Sequence, residues 1–430
     1  MAPIDDHPQR YALVNELHAR PYPQISVPGH AVYVAFKEPR DAANRDRHRD
    51  FTHLTSLLTR HGAPNLPQEG ITHYTGQIGR HALKWESHTE FTTFLAHASG
   101  VSSRPYDPAE TAILPADWIE AAPGGRIAAI QIRIEELPGD PEAIAPQLAE
   151  WFVPESLVCA WILDGAAVIA GDFRIDPAGQ MRFAIFVQPG TGPGRIGRIV
   201  QRICEIETYR AMSMLGLMRA RSLMKRLNEL EPQLSELVEA MAHAPLDPEG
   251  MLNDLLTISG ELEALAVQHS FRFGATGAYE AILRERVSVL RESRFEGRQL
   301  LKEFMTRRYD PAVRTVHSAE SRLNAMLERA TRTAELLRTR VDVDRSAQNQ
   351  KLLESMDRRS DLQLRLQHTV EGLSVVAISY YAVSLVGYLI YPLAKQIGAS
   401  KELVLAGATP LVILGVWLMV RRIRKGMTGH

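Results

Sequence analysis

Two stretches without a single Asp, Glu, Lys or Arg close the chain: residues 373–393 (LSVVAISYYAVSLVGYLIYPL) and 403–420 (LVLAGATPLVILGVWLMV). At about 1.5 Å per helical residue, the first spans roughly 30 Å and the second slightly less, enough to cross a bilayer core. Only residues 394–402 separate them, so a helical hairpin is expected. Arg421, Arg422, Arg424 and Lys425 follow the second stretch, and Arg358, Arg359 and Arg365 precede the first. Basic flanks favour the cytoplasmic side, which puts both termini there and the short loop outside. The polar start, MAPIDDHPQR, has no apolar segment of the kind a cleaved signal needs. A lipid bilayer is thus the first expected partner.

The chain ahead of these segments divides by character. Residues 1–194 carry 15 basic and 23 acidic side chains, whereas the whole chain balances 49 against 50. A net charge of −1 implies no general affinity for nucleic acid. Two cysteines, Cys159 and Cys204, are too few for a disulfide framework, in keeping with a reducing compartment.

Residues 1–194 read as an α+β domain with an antiparallel sheet. The spacing predicts a half-buried strand over 30–36, a meander over 71–78, 81–87 and 90–96, and a strand over 126–134. Residues 166–175 and 181–187 flank Asp176-Pro177-Ala178-Gly179, a turn sequence, and form an expected hairpin. Helical patterns fall at 47–61 and 141–152. Hairpins in sequence, without regular crossovers, argue against a doubly wound parallel sheet. Residues 195–371 read as a long-helix bundle or stalk with breaks at Glu231-Pro232, 244–250 (APLDPEG), 274–277 (GATG) and Asp310-Pro311. Val316, Leu323, Ala330 and Leu337 recur every seven residues, and Glu320, Leu327, Ala334 and Val341 follow each by four. This stripe needs a cover, either the helices over 252–305 or a second copy of the chain, and a homo-oligomer is expected. Residues 372–420 form the transmembrane hairpin and 421–430 a basic cytoplasmic tail.

Candidate chemistry is sparse. His7, Arg10, Asn15, Glu16, His18 and Arg20 concentrate imidazole, carboxylate and guanidinium groups that suit a ligand site or a structural N-terminal arm. Ten histidines fall in the first hundred residues, but their spacing matches no metal motif, so they read as scattered and solvated, with no metal and no cofactor expected. Gly192, Gly194 and Gly197 form a literal G-x-G-x-x-G at the start of a helix, where bare amides suit a phosphate. No second strand follows as a dinucleotide fold requires, so a flexible linker is the stronger expectation. Tyr380, Tyr381, Gly387 and Gly415 are expected to serve packing of the membrane helices.

Four blocks carry a resemblance: residues 7–21 (HPQRYALVNELHARP), 198–210 (RIVQRICEIETYR), 303–312 (EFMTRRYDPA) and 336–381. Together they resemble a bacterial family of uncharacterised membrane-anchored proteins built on a domain of unknown function, along the full length. The resemblance implies anchoring in a bacterial inner membrane and transfers no activity to any residue. The architecture is also similar to two-helix magnesium channels, but Gly387-Tyr388-Leu389 stands near the place of their Gly-Met-Asn signature. The expected function is a membrane-anchored, non-enzymatic protein whose cytosolic domain binds a small molecule or a protein. A cation channel and a tethered enzyme using the N-terminal cluster are the alternatives.

Overall fold

A nine-stranded sheet receives every strand among the described residues, in the order β2-β3-β4-β1-β5-β8-β7-β6-β9. The strands are β1 (Gly29–Lys37), β2 (His73–Ile78), β3 (His81–Ser87), β4 (Phe91–Ser99), β5 (Gly125–Glu136), β6 (Val158–Ile162), β7 (Ala167–Ile175), β8 (Met181–Val187) and β9 (Ser293–Arg294). Neighbours are antiparallel except β5 and β8, which run parallel. The computed structural model describes residues 6–11, 13–14, 21–39, 44–242, 247–396 and 400–427. It forms two compact units: Met1–Pro245 with Asn253–Thr333, and Leu246–Leu252 with Ala334–His430.

In the first unit, helices cover both faces of the sheet. Short helices α1 (Arg47–Arg60), α2 (Pro108–Thr111), α3 (Ala116–Glu120) and α4 (Ala145–Trp151) take one side. Asp46 caps α1 by accepting a hydrogen bond from the His48 amide at 2.9 Å. Leu54, Leu57 and Leu58 of α1 and Trp118 of α3 pack on Val32, Val34, Phe36 and Phe94. The other side carries α5 (Pro193–Ala242), α6 (Pro248–Val289), α7 (Leu301–Arg308) and the first residues of α8 (Asp310–Gln396). There Ile196, Ile199, Val200 and Ile203 of α5 meet Ile130, Ile132 and Ile134 of β5. Each such fully buried side chain is worth about 1.5–3 kcal/mol over exposure.

Covering both faces changes the reading of β1. All nine of its residues are buried, rather than alternate ones, because it lies centrally between β4 and β5. Burial likewise corrects the picture of solvated histidines: His30, His53, His81 and His97 are buried. His53 stacks on Trp118 with ring centroids 4.0 Å apart and donates from Nε2 to the Trp118 carbonyl at 2.9 Å. His30 Nδ1 donates to the Gly100 carbonyl at 2.8 Å, so its Nε2 accepts from His81 Nε2 at 3.2 Å.

Two expected breaks are absent. Helix α5 runs through Pro232, held on both sides by buried Leu227, Leu230 and Leu234. Helix α6 runs through 274–277 because Thr276 packs against α5. A Cβ on Gly216 would lie 2.2 Å from the Thr276 hydroxyl, which also donates to the Ser213 carbonyl at 3.2 Å. The heptad stripe is buried within the chain: Val316, Leu323 and Ala330 are at most 3% exposed, while Arg322 pairs with Glu231 and Asn228 of α5. That surface therefore needs no second copy of the chain to cover it.

In the second unit, α8 and α9 (Lys401–Met427) each contain a segment long and apolar enough to cross a membrane, with only 6% of each apolar window buried. Arg345 and Glu249 pair at 2.9 Å within the same unit.

Burial lowers the pKa of both His81 and His97 to about 4, with the neighbouring His30 adding to the effect. A folded-state value below the unfolded 6.5 means stability that is present above pH 6.5 and lost as the pH falls towards 4. Chemical denaturation across that window should show a loss on the order of 1–2 kcal/mol per histidine, beyond the carboxylate background measured in His81→Gln/His97→Gln.

Candidate functional site

On the α5 side of the sheet, between β1, β3 and β4, lies a cavity of about 360 Å³. Strand periodicity supplies one wall: Lys84 and Glu86 point into it, while Leu83 and Trp85 enter the core on the opposite face. Phe91, Thr93 and Leu95 of β4 follow the same two-residue period, and β1 adds Tyr33. The facing wall is one stripe of α5, namely Gln201, Cys204, Glu205, Thr208 and Tyr209. Arg286 of α6 and Tyr22 complete the enclosure. A wider surface groove of about 720 Å³ lies beside β9 and α7, but there Arg294 is already paired with Glu303.

The polar groups of the cavity form a chain. Lys84 Nζ donates to Gln201 Oε1 at 2.8 Å and lies 3.4 Å from Glu86. Gln201 Nε2 donates to Glu205 Oε1 at 2.7 Å, and the other Glu205 oxygen pairs with Arg286. Deeper in, the Tyr33 hydroxyl donates to Thr208 Oγ1 at 2.6 Å, and Thr208 donates to the Cys204 carbonyl at 2.8 Å. Burial raises the Cys204 thiol well above its ordinary value, with Glu205 adding to it, and raises the Tyr33 phenol likewise. Neither group supplies an anionic nucleophile at neutral pH. The arrangement suits holding a polar molecule rather than attacking one.

Next to the cavity stands a second buried polar centre. Glu90, 2% exposed, accepts from the Tyr279 hydroxyl at 3.0 Å, pairs with Arg272 and lies 3.8 Å from Lys37. Burial lowers the Lys37 ammonium, Arg272 pushes it down further and Glu90 opposes both. Tyr279 stacks on Tyr209 with centroids 5.7 Å apart, which joins the two centres.

The glycine motif lies at the start of α5, under the extended segment that carries Tyr22. A Cβ on Gly197 would fall 1.7 Å from the Pro23 carbonyl oxygen, and one on Gly194 would sit 3.2 Å from the Gln24 side chain; Gly192 has open space. These positions admit a crossing chain. Of the N-terminal cluster, Arg10 pairs with Asp6 and His7 Nδ1 accepts from the Gln9 amide at 3.2 Å, both exposed. Asn15, Glu16, His18 and Arg20 lie outside the described residues. In the second unit, Tyr380 and Tyr381 stand edge to face at 5.8 Å, a Cβ on Gly387 would lie 3.3 Å from Leu405, and Gly415 has nothing nearby. No group of three or more metal-ligating side chains occurs among the described residues.

The family model described as "Protein of unknown function (DUF3422)" matches residues 5–427. This chain belongs to that family. No curated protein and no solved structure matches it. In this DUF3422 protein the block over 198–210 forms the helical wall of the cavity, and the block over 7–21 ends one residue before Tyr22. Sequence alone does not mark Lys84 and Glu86, since a strand with alternate polar residues ordinarily faces water, nor Arg286, one of many charged residues on a long helix.

Substituting Glu90→Gln should cost about 2–4 kcal/mol, because it leaves Lys37 and Arg272 buried without a counter-charge. Urea unfolding followed by tryptophan fluorescence measures it. Gly197→Ala should cost about 1–3 kcal/mol in the same assay, through the forced shift of Pro23.

Proposed function

We propose that this protein is a membrane-anchored binding protein whose sheet domain holds a small polar ligand in the cavity between β1, β3, β4 and α5. The observation that carries the reading is a connected charged network, Glu86–Lys84–Gln201–Glu205–Arg286, beside a helix–sheet interface whose core is apolar. Ionic groups in such a place are no more stabilising than well-packed hydrophobic ones, so stability alone does not account for them. The cavity is at the small end of the range used by small-molecule sites, and its aromatic and polar lining is of the usual kind. The buried, un-ionised Cys204 and Tyr33 favour binding over covalent catalysis. Anchoring rests on the two apolar, exposed segments of α8 and α9 and on the basic residues that flank them, which favour cytoplasmic termini in a bacterial inner membrane.

Three readouts test this on the full chain. The protein should stay in the membrane fraction after alkaline carbonate washing, and a C-terminal alkaline phosphatase fusion should be inactive. Release by carbonate removes the anchor, and an active fusion reverses the orientation. In detergent micelles, a panel of sugars, amino acids, nucleotides and organic acids should include a compound that raises the melting temperature of the wild type. That shift should vanish in Thr93→Phe, which fills the cavity; a shift that survives the substitution removes the cavity from the reading.

A further inference from the structure

The groove beside β9 carries charge that the protein itself leaves unanswered. It has a volume of about 720 Å³ and is lined by the loop after β9, by α7 and by the segment ahead of β6. Four cations line it, Arg294, Arg298, Lys302 and Arg307, against two carboxylates, Glu155 and Glu303. Glu303 is taken by Arg294 and by the Leu300 amide, which donates to it at 3.1 Å. Arg298, Lys302 and Arg307 have no ion pair among the described residues. The Nε of Arg298 is buried and has no hydrogen-bond acceptor there. Water serves an exposed cation well, but a buried N–H of a guanidinium without an acceptor costs free energy.

The backbone that carries these side chains is fixed. Phe295 is fully buried, and its carbonyl accepts from the Arg298 amide at 2.8 Å. The Cys159 amide of β6 donates to the Gln299 carbonyl at 3.1 Å, and the Glu292 carboxylate accepts from the Leu301 and Lys302 amides, each at 2.7 Å. Leu301 and Met305 bury one side of α7, which leaves Lys302, Thr306 and Arg307 to line the groove from the other. The chain bearing Arg298, Lys302, Thr306 and Arg307 is therefore in place before any ligand arrives.

We propose that this groove binds a phosphate monoester, with Arg298 as the forked donor and Lys302, Arg307 and the Thr306 hydroxyl around the remaining oxygens. A guanidinium matches two phosphate oxygens at once, and an ammonium adds a point charge. A monoester carries between about −1.5 and −2 charges at neutral pH, which answers the excess of two cations in the lining; a single carboxylate does not. The site is separate from the cavity under α5 and does not depend on it. A soluble phosphate ester and a lipid headgroup share this chemistry.

The test uses the full chain in detergent micelles, with melting followed by intrinsic fluorescence at ionic strength held constant with sodium chloride. The probes are glycerol 3-phosphate, dihexanoyl phosphatidic acid (the same group on a lipid), citrate and glucose. One or both phosphates should raise the melting temperature. Action of glycerol 3-phosphate shows that the free ester suffices, and action of the lipid alone assigns the source to a headgroup. Arg298→Gln and Arg307→Gln should each weaken the active probe about tenfold or more, with Arg307→Lys losing less. Arg60→Gln, outside the groove, and Thr93→Phe, in the cavity, should leave it within about twofold. If Arg298→Gln does not fold, Lys302→Gln and Arg307→Gln, at exposed positions, carry the comparison. Binding changed less than about twofold by the groove variants, or weakened as much by Arg60→Gln, overturns the proposal. So does a citrate or glucose shift as large as that from the phosphates, or no shift from either phosphate. A shift lost in Thr93→Phe but kept in the groove variants moves the anion to the cavity and overturns it as well.

Discussion

Helix α5 has to satisfy two unlike surfaces at once. Its first turns press Ile196, Ile199, Val200 and Ile203 onto the isoleucines of β5, while Gln201, Glu205 and Thr208 of the adjoining stripe face Lys84, Glu86 and Tyr33. A 3.6-residue period lets one helix present an oily edge and a polar edge side by side. The apolar edge supplies the adhesion, and the polar edge is thereby held over the sheet without having to contribute stability itself. The segment bearing Tyr22 crosses the same helix because Gly197 has no side chain to obstruct Pro23. Fold and cavity thus depend on a single docking event.

Buried charge in this unit takes two forms with different physical standing. Around Glu90, one carboxylate answers Lys37, Arg272 and a tyrosine hydroxyl, tying β1, the turn before β4 and α6 together. Such a hub makes one arrangement of those elements better than its neighbours, at the expense of desolvating all of its members. Around the cavity two cations and two carboxylates, Lys84 with Glu86 and Arg286 with Glu205, are joined through Gln201 into one chain that lines open space rather than tying elements at a point.

Much of the architecture was legible in the sequence, and the reasons are local. The meander over 71–96, the 166–187 hairpin and the change to long helices near residue 195 follow from alternation, from the Asp-Pro-Ala-Gly turn and from helical periodicity. What escaped was decided by distant partners. Strand β6, VCAWI, is short and has no alternation because it is covered on both faces; β9 is two residues long and exists only because β6 is beside it. Pro232 and the GATG run look like breaks until Leu234 and Thr276 are seen packed. The candidate site shows the same division. The polar stripe in RIVQRICEIETYR is visible at helical spacing, whereas Lys84 reads as a solvent-facing strand residue until α5 is laid over it. The N-terminal string drew notice for its composition, but it is Tyr22, just beyond it, that lines the cavity.

The thiol of Cys204 gives the α5–sheet interface a clock. It is 2% exposed and held protonated by its surroundings, so reagents too large for the cavity it lines reach it only when the helix lifts from β1 and β3. Cys159, on β6 at the other end of the sheet and with its pKa pushed up to about 12, is guarded by a different set of contacts. The two cysteines therefore record separate opening events of one sheet, and the ratio of their labelling rates compares the looseness of the cavity end with that of the β6 end.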